Sequence, residues 1–521
     1  MRPDKGGPAV LQGLSRRGRG GNRPSPAQLA ILACLIHCPS TTVEKSCAAR
    51  KQELEDIECI GDLRKSIVIF LPCNRDDQKA FRLAEFRDRW QNSGSLTGDF
   101  WSMHMSRLAL PASLIACSVM WIYFFQVMEP TIKAEAVQSH DQGKVLGDLF
   151  PSWYASRAFF LQRDNPYGQK VSGEIYRSYY GTGLVTKGRN EQRFAYPFYT
   201  IFLLYPLIAF QFEQVQIVSG VVLLIAIASG TFLWAKLFLP DLSPRTLLIL
   251  EALVLSSHPA LQIADRQQLS GLVICCLALS GFLFARGNLV TAGFALALSS
   301  IKPQMALLPT AWMIGVSISN WKQLKKFVYG FAALLAALLG ISHVLLPGWE
   351  GDFLRGMQAY DRYAVPLSII GLFAGRKVGF ITGIIACFIL AVLCWRWRKA
   401  ARISSEFRTM LALVFATSAV FMPVSTPYNQ LLILPAVLEL IRHWDDLRNS
   451  ISSRVLSICL AVTFWPWVGA SIFLTYSFVG SVGMWWTAPF YLSLIFPLIV
   501  CYLVTKLRLS SGSVVFYNPA R

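Results

Sequence analysis

Charge is scarce in this chain. Asp, Glu, Lys and Arg make up 15% of its residues, and the acidic sign is the scarcer, 30 side chains against 49 basic ones. With 54% hydrophobic residues and a mean hydropathy of +0.44, so low a charged fraction argues against several ordinary soluble domains in 521 residues and for helices in lipid. No Walker loop, dinucleotide glycine motif, Ser-His-Asp arrangement or metal-ligand cluster is present, which argues against soluble nucleotide chemistry. The twelve cysteines lack metal-type spacing, and most of those beyond residue 100 sit in apolar runs, where they behave as small hydrophobes. No internal repeat relates the two halves, and the short apolar run at 29–36 has no small-residue cleavage site after it.

What is abundant is apolar sequence punctuated by basic clusters. The formal net charge of +19 sits in connections such as KQLKK at 322–326, RWRK at 396–399 and KLR at 506–508. That is the positive-inside pattern of a multi-pass membrane protein, not a phosphate-binding groove for nucleic acid. Residues 1–104 differ from the rest: either a small cytoplasmic extension, or sequence ahead of a natural start at Met103 or Met105. The membrane domain is expected over 105–507 and a short tail over 508–521. Its first span is expected at 108–127, followed by a polar loop to 193. Apolar runs then follow at about 196–212, 215–239, 246–258, 268–285, 289–301, 303–318, 326–346, 378–395, 409–422, 428–441, 453–475 and 488–505. These predict an all-α bundle of twelve to fourteen transmembrane helices. With the basic connections inside, the loops holding Asp148, Asp265 and Lys302 all fall on the outer face, and the segment at 196–212 either re-enters and returns, or crosses and leaves one basic loop breaking the rule.

The first outer loop contains DLFPSWYASRAFFLQRDNPYG at 148–168. Pro151 suits a first helical turn, residues 152–162 hold no breaker, and Asn165-Pro166 ends the pattern, so a short interfacial helix is expected with Asp148 just before it. Asp148 is either the cap of that helix or a general base at the mouth of the bundle. Lys302, in SSIKPQ between two apolar runs, is either a snorkelling helix-end lysine or a cation facing a cavity, and Pro303 marks a helix break there. Arg157 either serves a phosphate or stays solvated. Asp265 and Gln268, in a polar island, are candidate sugar contacts or an ordinary wet loop; Tyr428 and Asn429 are candidates to line the same cavity. The lone His343 is expected to be a packing residue.

Taken in order, Asp148 with LFPSWY, then NPY at 165–167, FAYPF at 194–198, DRQQLS at 265–270, IKPQ at 301–304 and PYNQ at 427–430 resemble glycosyltransferase family 87. These are bacterial GT-C membrane proteins related to the polyprenol-phosphate-mannose-dependent mannosyltransferases. The resemblance covers roughly 105–505. It implies a GT-C-type bundle with a large first extracytoplasmic loop, in the plasma (inner) membrane, and inverting transfer of a sugar from a polyprenyl-phosphate donor to a lipid or glycan acceptor. Asp148 matches the acidic residue taken as the base, and Lys302 matches a lysine expected near donor phosphate. The chain departs from the family at Tyr196-Pro197-Phe198, where Tyr-Pro-Pro is usual, and at Gln267-Gln268-Leu269-Ser270, where Gly-Gln-x-Asn is usual. A leaving phosphate needs no acid, so one carboxylate suffices, and neither a cofactor nor a divalent metal is called for. The competing reading is a transporter or flippase of a lipid-linked saccharide.

Overall fold

The computed structural model describes residues 108–139, 143–181, 192–363, 367–422, 426–480 and 483–511, so the expectations for 1–104 lie outside the described residues. The described residues form helices and no strands. Six helices are long and apolar enough to cross a membrane, the make-up of a multi-pass membrane protein: Ala109–Ser139, Phe212–Phe238, Trp321–Leu345, Arg376–Trp397, Ser453–Ser477 and Trp485–Leu507. A seventh is counted if the pair Pro244–Leu255 and His258–Arg266, bent by 56°, is one broken span. The bend has a local cause, because Pro259 belongs in a first helical turn and so forces a new helix to begin at His258.

Several other apolar runs fold as shorter helices. Ser270–Arg286, Pro303–Ser319 and Ser405–Phe421 have 17 residues each, and Leu289–Leu298 has 10. The expected twelve to fourteen spans are therefore not matched one for one by single long helices. The run at 196–212 settles into Thr200–Leu204 and a turn at Tyr205–Leu207. Eight such residues rise only about 12 Å against a hydrocarbon core of about 30 Å, too short to cross as a helix. The first span also differs from expectation: a π-helical segment, Phe124–Met128, carries it without a stop into Glu129–Ser139, where a polar loop was expected to begin. No breaker lies between residues 131 and 139, and local helix propensity there outlasts the hydrophobicity.

Two helices meet at their backbones. A Cβ on Gly293 would run into the Phe327 carbonyl oxygen, and one on Gly330 into that of Val290, so Leu289–Leu298 seats directly on Trp321–Leu345. The core is largely aliphatic along the bundle and aromatic around the first loop, where Phe150 stands edge-on to Phe212 at 4.9 Å and Phe159 to Phe198 at 5.0 Å.

A buried polar cluster at the ends of apolar helices

The loop helix forms as Phe150–Arg157, continued by a π-helical turn over Ala158–Gln162, and Arg163 ends it in the left-handed region at φ 61°. Asn165 then closes the turn before Pro166, its Oδ1 accepting from the Tyr167 amide at 2.9 Å. Most of the Phe150–Arg157 helix is buried, with Trp153 Nε1 donating to the Leu207 carbonyl at 3.1 Å, so it is packed into the protein rather than half-exposed on a surface. Leu149 occupies the capping position and no side chain caps the helix. Asp148 is thus free of the capping role that its position suggested.

Asp148 is instead held by its backbone. Gly147, at φ +66°, and Gln267, at φ 48°, both adopt left-handed conformations, and the Asp148 amide donates to the Arg266 carbonyl at 2.9 Å. The Gly147 carbonyl accepts from Tyr179 Oη at 2.6 Å, and that of Val145 from Gln216 Nε2 at 3.0 Å. Tyr179 lies on the buried face of Gln169–Tyr180, which explains the run of tyrosines in the loop's second half. The clasp sets the half-buried Asp148 side chain beside Gln268, 120 positions away, and Gln268 Nε2 donates to Asp148 Oδ2.

Lys302 lies in the break expected from Pro303. A turn over Ser299–Ile301 ends one helix, Lys302 is extended at φ −129°, ψ 79°, and Pro303 opens the next. Its side chain does not snorkel; it is 4% exposed. Nζ donates to Gln268 Oε1 at 2.9 Å, Ser270 Oγ at 2.6 Å and Asn429 Oδ1 at 3.1 Å, and lies 4.6 Å from the centroid of the Tyr428 ring. Burial works against the charge of this amine, and the negative charge of Asp148 works to keep it. The acceptors are themselves held. Ser270 Oγ donates to Asn429 Oδ1 at 2.9 Å, Asn429 Nδ2 to Thr426 Oγ1 at 2.9 Å, and Tyr196 Oη to Gln268 Oε1 at 3.3 Å.

Five of the expected residues, Asp148, Gln268, Lys302, Tyr428 and Asn429, therefore come together. Asp265 lies near the C-terminal end of the His258–Arg266 helix, ahead of the left-handed Gln267, and pairs with Arg266 Nε at 3.0 Å. Arg157 stacks over Trp153, 5.5 Å from its centroid, and is not part of the Lys302 cluster. His343 is not a packing residue: its exposed ring pairs with Glu350 Oε1 at 3.1 Å. Ser270, Tyr196 and Thr426 join the cluster without having been singled out. Tyr196 and Ser270 stood in recognisable motifs, but Ser270 reads there only as a departure, because its partner Asn429 is 159 positions away.

Chemically the cluster offers one partly accessible carboxylate and one buried cation, bridged by an amide and surrounded by apolar helices. Such a site can accept a proton from a hydroxyl and favours negative charge nearby. Among the described residues no group of three or more His, Cys, Asp and Glu side chains is placed to hold a metal ion. No family model, no curated protein and no solved structure matches this chain.

Proposed function

We propose that the protein is a membrane glycosyltransferase. It moves a sugar, mannose or another hexose or pentose, from a polyprenyl-phosphate donor to a lipid or glycan acceptor on the extracytoplasmic side of the plasma (inner) membrane, with inversion. The observation that carries the reading is the Asp148–Gln268–Lys302 bridge, which sets a carboxylate with one oxygen engaged against a cation at the ends of apolar helices. A lipid-borne substrate reaches such a place from the bilayer with its head group at the interface.

In this scheme Asp148 takes the proton of the acceptor hydroxyl as that oxygen attacks the anomeric carbon. The carbon–oxygen bond to phosphate breaks, and the phosphate leaves with the bonding pair as a stable anion, so no acid is required. The positive charge of Lys302 lowers the cost of gathering that anion near Asp148. Asp265, Tyr428 and Asn429 are the candidate sugar contacts in this scheme. Arg157, stacked on Trp153, has no part in this scheme, and nucleic acid has none.

The test is transfer from a panel of radiolabelled polyprenyl-phosphate sugars to lipid and glycan acceptors in membranes holding wild-type protein or Asp148→Asn at matched abundance. The expected result is transfer by wild type and a loss of roughly 100-fold or more in the variant, the scale of a lost general base. Undiminished transfer by Asp148→Asn removes Asp148 from the reaction. Movement of saccharide across a bilayer with no new glycosidic bond establishes the transporter instead.

A further inference from the structure

We infer that Gln268 is a positioning residue for Asp148, and that Lys302 acts through Gln268 rather than as a direct ligand of the donor phosphate. The kinetic consequences rest on the glycosyl-transfer reading; the geometry does not.

A lysine ammonium has three N–H donors and no acceptor. At Lys302 the three acceptors Gln268 Oε1, Ser270 Oγ and Asn429 Oδ1 take all of them, and the Tyr428 ring covers the cation further. A phosphate oxygen could bond this ammonium only by displacing one of these partners, and each is anchored by a second contact. What the ammonium does control is the direction of the Gln268 amide. With Lys302 and Tyr196 both donating to Oε1, the opposite end that meets Asp148 must be Nε2, a donor to a carboxylate. The flipped amide would set NH2 against NH3+ and carbonyl against carboxylate, two repulsions at once. Gln268 is therefore locked as a one-directional bridge, and the locked Nε2 fixes one oxygen of Asp148 and so aims the other.

The residue type is demanding. Leucine has no donor for Asp148 and takes an acceptor from Lys302. Glutamate keeps the acceptor but sets a second carboxylate beside Asp148. Asparagine is one methylene too short to reach both. The backbone clasp at Gly147 and Gln267 completes the arrangement, because it brings the Asp148 main chain against Arg266 and within one glutamine's length of Lys302.

The test uses full-length protein in proteoliposomes, as wild type, Gln268→Leu, Gln268→Glu and Lys302→Met. Two readouts are taken: steady-state transfer, and mass-spectrometric labelling of Asp148 by dicyclohexylcarbodiimide, which adds to a protonated carboxyl in an apolar setting. The expected result is a common signature: in Gln268→Leu and Lys302→Met alike, kcat falls on the order of 100-fold while the donor KM stays within about threefold. Asp148 is labelled several-fold faster than in wild type in both. Gln268→Glu preserves the side-chain volume and gives the same answer if the leucine variant does not fold. The inference is overturned if Lys302→Met raises the donor KM by about tenfold or more and Gln268→Leu does not. It is overturned equally if Asp148 labels at the wild-type rate in the Gln268 variants. Should wild type transfer no sugar, glycosyl transfer fails as the function, and the labelling rates alone decide the positioning role.

Discussion

Gly147 shows how much of the site depends on one backbone conformation. A side chain at φ +66° costs roughly 1–2 kcal/mol on its own account. Here the added Cβ would also lie 2.6 Å from Gln267 Oε1 and 3.1 Å from the Arg266 carbonyl oxygen, so the Gln267 side chain must swing away and the carbonyl that accepts from the Asp148 amide must shift by a few tenths of an ångström. Gly348 provides the control, with φ +80° and nothing within 4 Å of its would-be Cβ. Gly348→Ala is expected to lower thermal stability by the conformational cost alone. Gly147→Ala is expected to lower it further and to reduce transfer several-fold, as the shift of the Arg266 carbonyl passes to the Asp148 amide bonded to it. Thermal unfolding in detergent and transfer rates on both variants check this; equal behaviour would mean that the clasp does not position Asp148. At this scale the sequence offered candidates without choosing between their roles. Asp148 read as a cap or a base and Lys302 as a snorkelling or a buried cation, because each choice depends on a partner more than thirty positions away.

At the scale of elements, the loop helix and the break at Lys302-Pro303 were legible, since proline and turn residues act locally. The extent of the first helix and the short turn at 200–207 were not, because neither hydrophobicity nor length alone tells a crossing helix from one that stops and turns back. The crossing of Leu289–Leu298 with Trp321–Leu345 is specified by two glycines whose importance no local pattern reveals. Gly293→Val would drive its branched Cβ into the Phe327 carbonyl and the Phe331 amide, which are backbone atoms without rotamers to escape by. The expected cost is at or above the usual 1–3 kcal/mol of overpacking, seen as a lower melting temperature and a smaller folded fraction on size exclusion. Gly340→Ala, in the partner helix Trp321–Leu345 with open space around it, is expected to leave both unchanged. A stable Gly293→Val would show that the two helices separate without penalty.

At the scale of the whole molecule, two groups of polar contacts among the described residues fall at two sets of helix ends. Asp148, Gln268, Lys302 and Asn429 meet at one, together with Asn165 Nδ2 on Asp352 Oδ2 at 2.9 Å. At the other, the Asn320 side chain donates to the Arg398 carbonyl at 3.1 Å and Arg402 lies against Gly287. The second group comes from the basic connections and the first from the loops between them, so the positive-inside rule expects the first group outside and the second inside. Lys170→Cys is therefore expected to react with a membrane-impermeant maleimide on intact cells, and Lys399→Cys only after permeabilisation. The reverse pattern would place the Asp148 cluster on the cytoplasmic side and exclude an extracytoplasmic reaction.

The sequence by itself determined an all-helical chain with membrane-spanning helices, the sites of its breaks, and most of the residues now found in the polar cluster. Apolar runs and prolines are local features, and they mark where the helices and their breaks fall, though not which of the helices are long enough to cross. Only the tertiary structure decided that Asp148 caps nothing, that Lys302 is fully partnered, that Arg157 lies apart, and that Gln268 joins the carboxylate to the cation. Those outcomes depend on which helix ends arrive at the same place, and that is settled by packing between segments far apart in the chain.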